Sequence, residues 1–161
     1  EEDIARKSLK IMNKLFRLAV FKKAKIVMFY KTIKGEVDTE KMITKAKKLG
    51  KIVVVPVCTG LNDLMPCVLE ENGHLEKGPY GILEPVEKKP VELNDLDLVI
   101  VPGIAFTKDG KRLGRGKGFY DYFLHKLSQK VKTVGVAFDF QILPELPTEA
   151  HDIKLHKVLF S

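Results

Sequence analysis

Leu96-Asp97-Leu98-Val99-Ile100-Val101-Pro102-Gly103 runs on into Ile104-Ala105-Phe106-Thr107-Lys108-Asp109-Gly110-Lys111-Arg112-Leu113-Gly114-Arg115-Gly116-Lys117-Gly118-Phe119-Tyr120-Asp121. The opening apolar run reads as a buried strand, Pro102-Gly103 ends it, and a helix is expected from Phe119 to about Gln129. A glycine-rich loop between a strand and a helix lies at the strand's carboxyl end, where open α/β sheets bind ligands. Gly114, Gly116 and Gly118 alternate with Arg115 and Lys117. Glycine lets a backbone approach an anion and turn its N–H groups toward it. The cations add charge, and the following helix contributes the positive end of its dipole.

The flanking sequence repeats the strand–helix alternation. Upstream, a first helix carries Ile4, Ile11, Leu15 and Leu18 at roughly helical spacing, with Asp3 as its expected cap and Arg6 and Lys10 on one face. Ile26 to Tyr30 reads as a strand, Asp38-Thr39 as the cap of a helix through Met42, Ile43, Ala46 and Leu49, and Gly50 as its end. Ile52 to Val57 is the next strand, followed by a candidate strand at Met65 to Leu69. Tyr80 to Pro85 reads as a loop, in a region where Pro79, Pro85 and Pro90 forbid a long helix. Val134 to Phe138 and Lys157 to Phe160 complete the strands. The expected fold is a single doubly wound α/β domain over residues 1–161, with a mostly parallel sheet and helices on both faces.

The chain has 161 residues, 45% of them apolar and 30% charged, enough for a packed core and too apolar for global disorder. The longest apolar run, Ile52 to Cys58, is far short of the roughly 20 residues a membrane span needs, so no membrane partner is expected. Glu1-Glu2-Asp3 is acidic where a secretory signal would be basic and then apolar. Two cysteines, Cys58 and Cys67, exclude a disulfide scaffold or a cysteine zinc site, read as buried apolar residues and fit a reducing, cytoplasmic setting. The net charge of +7 favours anionic partners, although the lysines at 22–23, 45–51 and 88–89 read as solvated faces and turns.

The loop is neither a Walker loop, since Lys111 stands where the first glycine would be, nor Gly-x-Gly-x-x-Gly, which Phe119 interrupts. Basic glycine-rich loops also occur in nucleic-acid-binding modules, which is the alternative reading. Such modules pair them with aromatic stacking platforms, whereas Phe119, Tyr120, Tyr122 and Phe123 fall within a helix where some must face the core. A sugar-phosphate isomerase on the same sheet class would need a general base near the loop.

Val101-Pro102-Gly103-Ile104-Ala105-Phe106 and Arg112 to Asp121 together resemble the signature of the 5-formyltetrahydrofolate cyclo-ligase (5,10-methenyltetrahydrofolate synthetase) family. Four further pieces resemble family segments in the family's order. They are Arg6 to Lys10, Glu36 to Thr39, Tyr80-Gly81-Ile82-Leu83-Glu84-Pro85, and Ala137-Phe138-Asp139 with Gln141 followed by Pro147, Glu149, His151 and Asp152. The chain departs from the family's pattern at Phe119, where many members carry Tyr, and over His156 to Ser161, where they carry an acidic residue and Val-Ile-Thr-Glu.

The resemblance implies an enzyme that uses ATP and Mg²⁺ to cyclise 5-formyltetrahydrofolate, with or without a polyglutamate tail, to 5,10-methenyltetrahydrofolate. It implies ATP contacts from Arg6, Lys10, Arg112, Leu113, Gly114, Arg115, Gly116, Lys117, Gly118, Phe119 and Tyr120. Folate contacts are implied for Lys31, Glu36, Arg115, Gly116, Lys117, Gly118 and Phe119, with Arg115 and Lys117 as the catalytic cations. Asp121 and Asp152 are the implied Mg²⁺ ligands. A cytoplasmic monomer that binds small molecules and no nucleic acid is expected.

Overall fold

The computed structural model describes residues 1–60, 62–116, 118–147 and 153–161. Its first half contains α1 (Glu2–Arg17), α2 (Ala19–Lys23), β1 (Ile26–Met28), α3 (Glu40–Lys48), β2 (Ile52–Cys58), β3 (Leu64–Val68), β4 (Leu75–Lys77) and β5 (Leu83–Pro85). The second half contains β6 (Leu98–Val101), β7 (Ala105–Phe106), β8 (Arg112–Leu113), α4 (Phe119–Lys126), β9 (Lys132–Ala137) and β10 (Lys157–Phe160). Six strands make one sheet in the order β10-β9-β6-β1-β2-β3, parallel except for the antiparallel edge strand β3.

The central strands are continuous apolar runs because both faces of the sheet are covered. Alternation divides their side chains. Val27, Phe29, Val53, Val55, Leu98, Ile100, Val134 and Val136 share a core with Ile11, Met12 and Leu15 of α1, Phe21 of α2, and Met42, Ile43 and Ala46 of α3. Met28, Val54, Val99, Val101 and Ala137 share the other with Phe123 and Leu124 of α4, together with Phe106 and Leu155. Helices therefore cover both faces of a mostly parallel sheet, as the strand–helix alternation predicts.

Local chemistry explains where elements begin and end. Asp38 Oδ1 accepts the Glu40 N–H at 3.0 Å, whereas the Thr39 hydroxyl turns inward and donates to the Tyr30 carbonyl at 2.7 Å. Gly50, with φ +83°, closes α3 through the paired bonds Gly50 N–H to Lys47 O and Lys51 N–H to Ala46 O. Asp3 does not cap α1. Glu1 occupies the cap position without a side-chain bond, and Asp3 lies in the first turn paired with Arg6 and Lys7. Leu18 is extended, with ψ 137°, and separates α1 from α2, so the first helix stops before it. At its carboxyl end, α4 stops at Lys126 rather than Gln129 because Leu127 is extended.

Two segments read as loops hold strands. Tyr80–Pro85 is the far side of a β-hairpin in which β4 pairs antiparallel with β5, Leu75 opposite Pro85 and Lys77 opposite Leu83. The glycine-rich loop contains a second ribbon, β7 against β8, with Phe106 opposite Arg112. Both pairings are only two or three residues long and leave no period to read in the sequence.

The strand order places the site. β1 is flanked by β2 on one side and β6 on the other, so the chain winds outward in opposite directions from this pair. Loops leaving the carboxyl ends of β1 and β6 diverge and open a crevice between them, the position at which doubly wound sheets bind ligands.

Candidate active site

A cavity of about 250 Å³ occupies this crevice. Tyr30, Lys31, Ile33 and Glu36 reach it from the chain after β1, and Pro56, Cys58 and Leu64 from β2 and β3. Pro102, Gly103, Arg112, Gly114, Arg115 and Gly118 through Asp121 come from the chain after β6, while Tyr80 and Ile82 come from the β4–β5 hairpin. One wall is apolar and the other cationic, the arrangement suited to an organic body bearing anionic groups.

Arg112 is the buried charge of the cationic wall, its side chain only 7% exposed. Its Nε donates to the Pro102 carbonyl at 2.6 Å, one terminal nitrogen donates to Asp121 Oδ1 at 3.2 Å, and the guanidinium lies 5.4 Å from the Tyr120 ring centre. Burial lowers its pKa from the ordinary arginine value, opposed by Asp121, Tyr120 and Glu36. Room for that guanidinium depends on glycine, since a Cβ on Gly114 would lie 2.9 Å from a terminal nitrogen of Arg112. The fork is thus folded back onto the loop and braces it.

Glu36 faces this wall from the β1 side, its side chain 6% exposed and Oε2 lying 3.7 Å from Arg115 Nε. Its Oε1 accepts the Ile33 N–H at 3.1 Å. Burial raises its pKa above the ordinary carboxylate value, against the pull of the Ile33 bond, Arg115 and Arg112. Lys31 donates to Glu40 Oε1 at 2.6 Å, which neutralises it while leaving it in the lining. Tyr120 has a buried hydroxyl with no hydrogen-bond partner among the described residues, and burial raises its pKa. An unpaired buried hydroxyl on a cavity wall is costly unless a ligand satisfies it.

Of the residues singled out from sequence, Lys31, Glu36, Arg112, Gly114, Arg115, Gly118, Phe119, Tyr120 and Asp121 line this cavity together. Leu113 and Gly116 belong to the same loop but lie outside the lining. Arg6 and Lys10 are exposed on α1 and also lie outside it, with Arg6 paired to Asp3. They stand at the same end of the sheet, because neighbouring residues of α1 reach the carboxyl ends of β9 and β10 (Lys7 to Asp139 at 3.0 Å, Lys14 Nζ to Phe160 O). Lys117 and Asp152 lie outside the described residues. The base of the loop is tied to the chain beyond: Leu155 N–H donates to Gly110 O at 2.9 Å, and a Cβ on Gly110 would lie 2.4 Å from Leu155 O.

Sequence reasoning missed the apolar wall. Cys58, read as a buried apolar residue, is half-buried and lines the cavity, while Cys67 is buried as expected. Pro56, Leu64 and Ile82 carry no chemical signature: Pro56 is a residue of β2, and the reversal of β3 and the β4–β5 hairpin bring the other two there.

Among the described residues, no three His, Cys, Asp or Glu side chains converge as a metal-binding cluster. Asp121 is 65% exposed at the rim with one oxygen on Arg112. A single rim carboxylate fits Mg²⁺ that is held mainly by phosphate and water, and does not fit a closed protein cage.

Fold and cavity together define a doubly wound α/β protein with a cationic, glycine-rich ligand site at its switch point. A family model for the 5-formyltetrahydrofolate cyclo-ligase family matches residues 1–161, and the chain belongs to that family. It is an enzyme, a ligase of folate one-carbon metabolism. The chain is 34% identical over 171 residues to the mouse 5-formyltetrahydrofolate cyclo-ligase, covering 99% of this chain and 84% of the relative. Against the Escherichia coli K12 protein of the same name it is 33% identical over 141 residues, covering 84% and 78%. The solved structure of Aquifex aeolicus 5,10-methenyltetrahydrofolate synthetase superposes with a TM-score of 0.88 at 39% identity, covering 99% of this chain and 80% of that one. No helix among the described residues is long and apolar enough to cross a membrane.

Proposed function

We propose that the protein catalyses the ATP- and Mg²⁺-dependent cyclisation of 5-formyltetrahydrofolate to 5,10-methenyltetrahydrofolate, releasing ADP and phosphate, as a cytoplasmic monomer. The formyl oxygen attacks the γ-phosphorus of ATP, N10 then attacks the activated formyl carbon, and phosphate leaves as N10 loses its proton. The observation that carries this reading is the convergence of Arg112, Arg115 and the loop glycines opposite Glu36 around one half-apolar cavity, in a chain of this family.

Phosphoryl transfer of this kind is chiefly positioning and charge neutralisation. Arg115 and Lys117 supply cations to the transferring phosphoryl group, and the backbone from Arg112 through Tyr120 cradles the phosphates. The Tyr120 hydroxyl, unpartnered among the described residues, is available to a ligand oxygen. Arg6 and Lys10 are assigned to the ATP phosphates from the solvent side. Glu36 and Lys31, with Arg115 to Phe119, hold the folate near the formyl group. The apolar wall of Pro56, Cys58, Leu64 and Ile82 excludes water from the activated formyl carbon. Asp121 and Asp152 are assigned to Mg²⁺, which supplies charge neutralisation at the phosphate oxygens when bound.

The test is incubation with 5-formyltetrahydrofolate while following the methenyl chromophore. Product is expected only when ATP and Mg²⁺ are both present, with ADP formed in equal amount. Turnover without ATP, or ATP hydrolysis independent of folate, overturns the reading. Asp121→Asn keeps the shape and one carbonyl oxygen but loses the charge, and should raise the Mg²⁺ needed for half-maximal rate.

A further inference from the structure

The β4–β5 hairpin has little apolar anchorage. Leu75, Glu76 and Lys77 are all exposed, Leu83 is exposed, and the buried residues of its strands are Glu84 and Pro85. A hairpin so lightly buried is marginal alone, yet its turn supplies Tyr80 and Ile82 to the cavity wall. Tyr80 meets Phe119 edge to face at 5.1 Å, closing the space between the hairpin and the start of α4.

Glu84 does what apolar burial does not. Its side chain points from the hairpin into the protein, the residue is only 5% exposed, and Oε2 accepts the Cys58 N–H at 2.8 Å. Cys58 is the last residue of β2 and itself lines the cavity. The carboxylate is seated against Gly78, across the turn. A Cβ on Gly78 would stand 2.5 Å from its Cδ, 2.7 Å from Oε2 and 2.8 Å from Oε1. The turn is in turn closed by Gly78 N–H to Ile82 O at 2.8 Å and Gly81 N–H to Gly78 O at 3.0 Å. One carboxylate therefore joins the hairpin's turn, its second strand and the end of a core strand.

We propose that Glu84 is a positioning residue that latches the Leu75–Pro85 hairpin to the end of β2 and thereby holds Tyr80 and Ile82 in the substrate-binding wall, with Gly78 as the seat of its carboxylate. The proposal rests on the reading of the cavity as the folate and ATP site. Glu84 touches neither reacting group. Its loss weakens binding to the wall, while Arg112 and Arg115 of the phosphate cradle keep anchors of their own on Pro102, Asp121 and Glu36.

The test combines kinetics with amide hydrogen exchange on Glu84→Ala, Glu84→Gln, Gly78→Ala and the double variant. Glu84→Ala should raise the KM for 5-formyltetrahydrofolate roughly tenfold, the scale of one hydrogen bond to a charged group, with kcat within about threefold of wild type. Glu84→Gln retains a carbonyl acceptor for Cys58 N–H and should recover most of that loss. Gly78→Ala displaces the carboxylate and should reproduce the Glu84→Ala phenotype. Because Glu84→Ala leaves nothing for the new Cβ to strike, the double variant should be no worse than Glu84→Ala alone. In exchange measurements, residues 78–82 should lose protection in Glu84→Ala while β1 and β6 keep theirs. An unchanged KM in Glu84→Ala and Gly78→Ala, additive losses in the double variant, or wild-type protection at 78–82 overturns the latch. Failure of the wild-type protein to bind or turn over folate overturns the site reading instead, and the exchange result still decides the latch.

Discussion

Two of the protein's densely basic segments are treated by the fold in opposite ways. Along α3 and the turn after it, Lys41, Lys45 and Lys48 are exposed, and Lys51 folds back so that its ammonium donates to the carbonyls of Phe21 at 2.7 Å and Ala24 at 2.6 Å. In the loop between β7 and α4, Arg112 is buried beneath the chain, and Arg115, 44% exposed, faces a carboxylate across the cavity. Composition alone does not separate the two. What separates them is the glycine between the cations, which removes the Cβ that would keep a guanidinium off the backbone. The planar fork of arginine then satisfies a carbonyl and a carboxylate at once, which the point charge of lysine does less well.

The sharpest way to break this comparison is Arg115→Ala against Lys48→Ala. Steady-state assays should show a loss of about 10²–10³ in rate for Arg115→Ala, the scale of removing a charge contact made in the transition state. Lys48→Ala should match wild type. Equal losses would mean that bulk charge, rather than the loop, governs the reaction.

Next in size is Arg112→Met, which keeps an unbranched stem but removes the guanidinium and all its donors. With Pro102 O and Asp121 left without them, urea denaturation should show a stability loss of about 2 kcal/mol, within the range for hydrogen bonds to charged groups. Lys48→Met should stay within about 0.5 kcal/mol of wild type. Lys51→Met probes the structured cation of the first segment and should cost about 1 kcal/mol in the same experiment, since it uncaps the carbonyls at the end of α2. Its kcat should not change.

The smallest effect concerns a cation that the fold disfavours. His156 Nδ1 accepts the Thr133 N–H at 3.0 Å, and burial, with Lys132 nearby, lowers its pKa below 6.5. The native state favours the neutral ring, so this contribution is fully present above the unfolded pKa of about 6.5 and is lost as the pH falls below it toward the folded value. The difference in urea midpoint between wild type and His156→Gln should therefore change between pH 7.5 and pH 5.5, with wild type losing more on acidification. A constant difference would remove the imidazole from that pH dependence.

Elements with one dominant physical cause were legible in the sequence. The runs at Ile26, Ile52, Leu98 and Val134 are strands because short, β-branched apolar runs suit a sheet covered on both faces, and Gly50 ends α3 because the αL position favours glycine. The strand–loop–helix at Val101 to Asp121 likewise located most of the cavity's cationic wall. Illegible were features whose cause is tertiary. Asp3 has the chemistry of a cap, but the helix begins before it and Arg6 claims its carboxylate. β3 runs antiparallel because a turn at Asn62, with φ +61°, sends it straight back along β2. The seat of Glu84 against Gly78 joins residues across a hairpin too short for periodicity to reveal.

The place of β1 in the sheet has a consequence for synthesis. Its first partner, β2, follows within 30 residues (Met28 pairs with Val54), whereas its second is β6 (Met28 pairs with Val99). A growing chain can assemble β1, β2 and β3 early, but one flank of β1 stays unpaired until β6 has left the ribosome. At elongation rates of about 5–20 residues per second that interval lasts seconds, with an apolar three-stranded fragment presenting an open edge. The same strand order that creates the crevice between β1 and β6 thus leaves the central seam of the sheet open until β6 is made, and makes the nascent chain, rather than the finished enzyme, the form that exposes the edge of β1.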